Sequence, residues 1–95
     1  MKVLFNNCYG GFGFSKAFME VCPQIKHREC LRTNPDIIKA IENFGLDRAS
    51  NIFSAITIAL VPDDATDWWI DEYNGLESVC YVLDGKRHEA EIIGS

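Results

Sequence analysis

The first apolar run, Val3-Leu4-Phe5, is short, β-prone and bounded by polar residues, so the pattern predicts a buried strand over Lys2–Asn6. A glycine-rich stretch, Cys8-Tyr9-Gly10-Gly11-Phe12-Gly13, then interrupts it. Beyond that stretch Phe14, Ala17, Phe18 and Val21 recur at i, i+3, i+4 and i+7, the spacing of one helical face. A short helix from Ser15 to Val21 follows, with Pro23 blocking its continuation. Residues 24–32 have only Ile25 and Leu31 as strong anchors, and a second strand and an irregular connection fit them equally.

The next helix carries full punctuation. Asn34 can cap it, Pro35 occupies the first helical position where a missing N–H costs nothing, and Asp36 suits the positive end of the dipole. Ile37, Ile38, Ile41 and Phe44 form its apolar stripe, and Gly45 offers a stop. Past Asp47 the pattern turns to β. Ile56, Ile58 and Leu60 alternate with Thr57, Ala59 and Val61 before a Pro62-Asp63-Asp64 turn. Asp67–Tyr73 is the next strand, followed by the turn pair Asn74-Gly75. Glu77–Leu83 and Lys86–Ile93 flank a second turn pair, Asp84-Gly85, and suggest an antiparallel meander of three or four strands. The expected class is α+β: one small, mostly antiparallel sheet with two helices on one face, in a single domain spanning residues 1–95.

Charge sharpens this picture. The net charge of −5 is divided unevenly: residues 1–48 hold seven Lys/Arg against five Asp/Glu, and residues 49–95 hold two against nine. The acidic half argues against an extended nucleic-acid surface, which needs a basic stripe. The basic cluster Lys26, His27, Arg28 and Arg32 could hold a small anion or be a solvated face. The acidic run Asp63, Asp64, Asp67, Asp71, Glu72 and Glu77 lacks the fixed spacing of a calcium loop and reads as a solvated negative face. The N-terminus does not read as a signal peptide, and the apolar run around Ala55–Val61 is far short of the roughly 20 residues that span a bilayer. A cytoplasmic chain with free thiols at Cys8, Cys22, Cys30 and Cys80 is expected. A chain this small leaves much surface uncovered, which favours a homo-oligomer.

Three segments carry a resemblance: Asn6-Asn7-Cys8-Tyr9-Gly10-Gly11-Phe12-Gly13-Phe14-Ser15, Arg32-Thr33-Asn34-Pro35-Asp36-Ile37-Ile38 through Gly45, and Ile70-Asp71-Glu72-Tyr73-Asn74-Gly75-Leu76-Glu77. Together they resemble a family of small bacteriophage and prophage proteins with a Cys-Tyr-Gly-Gly-Phe loop. The resemblance implies a phage accessory protein working in a host cytoplasm and brings no settled biochemical activity with it.

Chemistry centres on the glycine loop. Gly10, Gly11 and Gly13 permit close backbone approach, and the amides opening the following helix, with the Ser15 hydroxyl, could bind an anion. The same residues also make a tight strand-to-helix turn with Ser15 as its cap. In the ligand reading Tyr9, Phe12 or Trp69 stacks on the ligand and Arg28 or Arg32 neutralises it. By analogy with other small phage proteins, that ligand would be a nucleotide-like immune signal that the protein sequesters. The alternative is a protein-interaction module that inhibits or redirects a host protein. Trp68 and Trp69, on opposite faces of one strand, place one ring in the core and the other at solvent, an interface or a ligand. A catalytic Cys8 would need a base from His27 or His88, and Cys22, His27 and Cys30 lack the paired spacing of a zinc site. No catalytic residue, cofactor or metal is assigned.

Overall fold

The computed structural model describes residues 1–22 and 32–94. Its elements are β1 (Lys2–Asn6), α1 (Lys16–Val21), α2 (Pro35–Phe44), α3 (Leu46–Ala49), β2 (Ile56–Leu60), β3 (Asp67–Tyr73), β4 (Leu76–Leu83), β5 (Lys86–Glu89) and β6 (Glu91–Gly94). The α+β class holds, but the strands divide into two three-stranded antiparallel sheets, ordered β1-β2-β6 and β3-β4-β5.

Strand alternation explains the layering. In β1 and β2, Leu4, Ile56 and Ile58 turn towards the helices and join Phe18, Ile37, Ile38 and Ile41 in one core. Val3, Phe5, Ala59 and the adjoining Val61 turn the other way and meet Val79 and Ala90, with Trp68, Ile70 and Tyr81 packed around them. β1 and β2 are therefore buried on both faces, which is why they read as near-continuous apolar runs, whereas β6 is largely exposed. The helices cover one face, as expected, and the second sheet covers the other.

The turn chemistry behaves as the sequence suggests. Asn74 and Gly75 have φ of 50° and 88°, and Asp84 and Gly85 have 52° and 75°, the paired positive values of a tight hairpin. In α2 the Asn34 side chain accepts from the amides of Asp36 and Ile37, and Ile37, Ile38 and Ile41 are buried.

Two expectations change. The predicted single strand Lys86–Ile93 is broken at Ala90, whose N–H donates to the Val79 carbonyl at 2.8 Å. The chain leaves the second sheet there and enters the first, so a small buried residue marks the corner between them. On α1 the predicted stripe is only half right. Phe18 is buried, while Ala17 and Val21 are exposed, and the inward face runs Phe14, Phe18, Cys22. A helix of six residues cannot present two full turns, and this face follows four-residue steps. Arg32 lies at the edge of the described segment; Pro23, Ile25, Arg28 and Leu31, with the rest of residues 23–31, lie outside it.

Candidate functional site

Three loops converge at one end of the molecule: the glycine loop, residues 51–54, and the Asn74-Gly75 turn. Their backbones touch. A Cβ on Gly10 would sit 1.7 Å from the Phe53 carbonyl oxygen, and one on Gly75 would sit 2.7 Å from the Gly11 nitrogen. These glycines are required by neighbouring backbone.

Asn6 is the fastener. It is fully buried, and its Nδ2 donates to the carbonyls of Cys8 at 2.8 Å and Gly75 at 2.7 Å. Its Oδ1 accepts from the Ala55 amide at 2.7 Å and from the Cys8 thiol at 3.3 Å. One side chain thus uses all its hydrogen-bonding capacity to hold the three loops in register. Sequence reasoning read Asn6 only as the polar end of a strand. Alternation placed it on the face of Leu4, and an inward-facing polar residue beside a glycine loop was the available signal.

Within the expected anion cradle, Ser15 is engaged by the fold itself. The Ser15 hydroxyl caps α1 by accepting from the Phe18 amide at 3.1 Å and donates to the Arg48 carbonyl at 2.6 Å. The Ser15 amide donates to the Ala49 carbonyl at 2.7 Å. Arg32 forms a two-pronged ion pair with Glu77, at 2.7 and 2.9 Å, and lies 3.7 Å from the centre of the Phe12 ring.

That ion pair has a definite task. Glu77 Oε1 also accepts from the Asn6 amide at 2.8 Å, Arg32 Nη1 donates to the Leu4 carbonyl at 3.2 Å, and the Leu4 amide donates to the Arg32 carbonyl at 2.8 Å. Main-chain groups along the edge of β1 away from β2 are closed by this pair and its backbone, which blocks edge pairing. Glu77, expected on a solvated face, is instead 9% exposed.

Trp69 stands apart. Its neighbour Trp68 packs into the second core, while Trp69 faces the other side of the second sheet, as alternation requires. There Arg87 lies 5.9 Å from the Trp69 ring centre, donates to Asp71 at 2.9 Å and touches the Cys80 sulfur at 3.4 Å. The hydrogen bond to Cys80, then the charges of Cys80 and Asp71, raise the Arg87 pKa above its ordinary value despite some desolvation. Trp69 is four residues from Tyr73, about 13 Å along a strand. Tyr9, Gly10, Gly11, Phe12, Gly13 and Ser15 therefore belong to the loop end, Arg32 to an internal brace beside it, and Trp69 to the outer sheet face.

The Cys8 thiol contacts the Asn6 side chain and the Phe53 carbonyl, and His88 stacks on Tyr81, their ring centres 5.2 Å apart. Among the described residues no cluster of three or more His, Cys, Asp and Glu side chains is arranged to hold a metal, and no helix is long and apolar enough to cross a membrane.

What the loop end does expose is apolar. Tyr9, Ile52, Phe53 and Tyr73 are 70%, 91%, 65% and 71% exposed; the first three stand on two of the loops that Asn6 locks together, and Tyr73 is the last residue of β3, next to the Asn74-Gly75 turn. Ile52 and Phe53 had no periodic pattern to announce them, because they lie in an irregular connection between α3 and β2. Comparison of the chain with protein-family models, curated proteins and solved structures finds no match.

Proposed function

We propose that this chain is a non-enzymatic interaction module that docks a partner protein on its three-loop end. One observation carries the reading: Tyr9, Ile52 and Phe53 stand exposed on loops whose backbones are tied together by Asn6, and Tyr73 stands exposed at the end of β3 beside the third of these loops. Aromatic side chains are favoured anchors at protein interfaces, and a patch held rigid before binding loses less entropy on docking. In the phage setting that the sequence resembles, the partner would be a host protein that is blocked or redirected. The small-anion reading draws less support, because the Ser15 hydroxyl and amide and the Arg32 guanidinium all have internal partners.

The test is a retention experiment with the wild-type chain and a Tyr9→Ser/Ile52→Ser/Phe53→Ser variant. All three positions are exposed, so the variant is expected to fold with an unchanged thermal midpoint. A host protein held by the wild type should be lost by the variant. Equal retention by both would remove the loop end as the docking surface.

A further inference from the structure

The loop end continues through Tyr73 onto the outer face of the second sheet. At this end of the β3–β4 hairpin a groove of about 310 Å³ is lined by Tyr73, Asp71, Ser78 and Glu89 from the outer face and by Glu72 and Glu77, which alternate to the other face, among others. Its carboxylates are unequally satisfied. Glu77 pairs with Arg32 and Asp71 with Arg87, whereas Glu72, among the described residues, accepts only from the Gly75 amide at 2.6 Å. Glu89 has no cation within ion-pair distance among the described residues. Among the described residues the groove therefore keeps a net negative charge beside an apolar tip, within a half of the chain that carries nine acidic residues against two basic ones.

We infer that this combined surface receives a cationic polypeptide segment, one apolar or aromatic anchor flanked by Lys or Arg. The inference rests on the interaction reading and specifies its partner. The anchor covers Phe53 and Tyr73, and a basic side chain enters the groove towards Glu72 and Glu89. Charge decides between occupants. A second copy would bring these carboxylates against their own kind, and like charges facing one another oppose docking. Nucleic acid is repelled by the same field. A basic segment is drawn in, and its association is faster and more salt-sensitive than that of a neutral one.

The experiment selects short random peptides on the immobilised full chain, in parallel with the Tyr9→Ser/Ile52→Ser/Phe53→Ser variant. Sedimentation of the wild type over a concentration series accompanies it. Peptides enriched by the wild type alone should carry an apolar anchor and net positive charge. Their affinity should fall by about tenfold or more between about 0.05 and 0.5 M salt, and by a similar factor on Glu89→Lys at unchanged thermal midpoint. Enriched peptides that depend on the tip but are neutral or acidic overturn the cationic inference and leave the interaction reading standing. Enrichment that ignores the tip substitutions, or no enrichment, overturns both. A concentration-dependent dimer abolished by the tip substitutions assigns the surface to a second copy and overturns the inference.

Discussion

Two arginines in this molecule keep the same company in opposite surroundings. Arg32 pairs with Glu77 and lies over Phe12; Arg87 pairs with Asp71 and lies beside Trp69. The first pair is 29% and 9% exposed, the second 65% and 50%. Around Arg32 the carboxylate also holds the Asn6 amide, and the guanidinium also holds the Leu4 carbonyl, so the pair is part of the backbone's own hydrogen bonding. Around Arg87 the partners lie on an outer face, within reach of solvent and salt. Charge and aromatic neighbour alone do not reveal whether an arginine is a brace or a free surface group. The number of main-chain groups that depend on it does.

The largest effect should come from breaking the brace. Arg32→Ala leaves Glu77 nearly buried without its cation and should cost about 3 kcal/mol. For a chain of this size that lowers the thermal midpoint by roughly 12–24 °C, read by circular dichroism. Arg32→Met combined with Glu77→Gln keeps an acceptor for the Asn6 amide and removes both charges, so it should be more stable than either single substitution. A midpoint unmoved by Arg32→Ala would mean that the pair braces nothing.

Glycines give the same contrast at a smaller scale. Gly10 meets backbone at 1.7 Å from where its Cβ would be, while Gly85 has positive φ but open space. Gly10→Ala must push the 51–54 loop away and should cost about 2–3 kcal/mol. Gly85→Ala bears only the conformational penalty, about 1 kcal/mol. Denaturant midpoints of the two variants check the order, and the reverse order would refute close approach as the reason for Gly10.

The helix-side core holds a thiol whose titration is linked to folding. Cys22 is buried in the helix-side core, and burial alone pushes its pKa above the ordinary 9.0. The unfolded chain then loses this proton at lower pH than the folded one. The contribution of Cys22 to stability is complete below about pH 9 and declines as pH rises towards the folded value. Urea midpoints measured from about pH 8 to about pH 10 should therefore fall less steeply in Cys22→Ala than in the wild type. Identical slopes would assign the alkaline loss to other groups.

Much of the fold was legible because local signals agreed. Asn34-Pro35-Asp36 marked the start of α2, Asn74-Gly75 and Asp84-Gly85 marked the hairpins, and alternation required one of Trp68 and Trp69 to face the core, which the fold assigns to Trp68. The division into two sheets was not legible, because it turns on Ala90, a small residue with no turn signal, bonding back to Val79. The site was legible in part. The glycines pointed to close approach, and only the tertiary fold shows that the approaching group is the backbone of residues 53 and 75. Arg32 looked like a ligand-binding cation because its partner Glu77 lies 45 residues away in what reads as an acidic surface run. No periodicity connects residues at that separation.

The smallest effect is the one that completes the contrast. Arg87→Ala removes an ion pair whose members are both more than half or about half exposed, and such pairs commonly contribute nothing measurable. Its thermal midpoint should match the wild type at low salt. Raising salt to about 1 M screens exposed pairs, so wild type and Arg87→Ala should remain matched there as well. The deficit of Arg32→Ala should persist at both salt concentrations, because its pair is largely shielded from mobile ions. If Arg87→Ala instead destabilised the chain as strongly as Arg32→Ala, the contacts with Cys80 and Trp69 would make the outer face a second brace. The distinction between an internal support and an available surface would then fail, and with it the reason for reading that face as open to a partner.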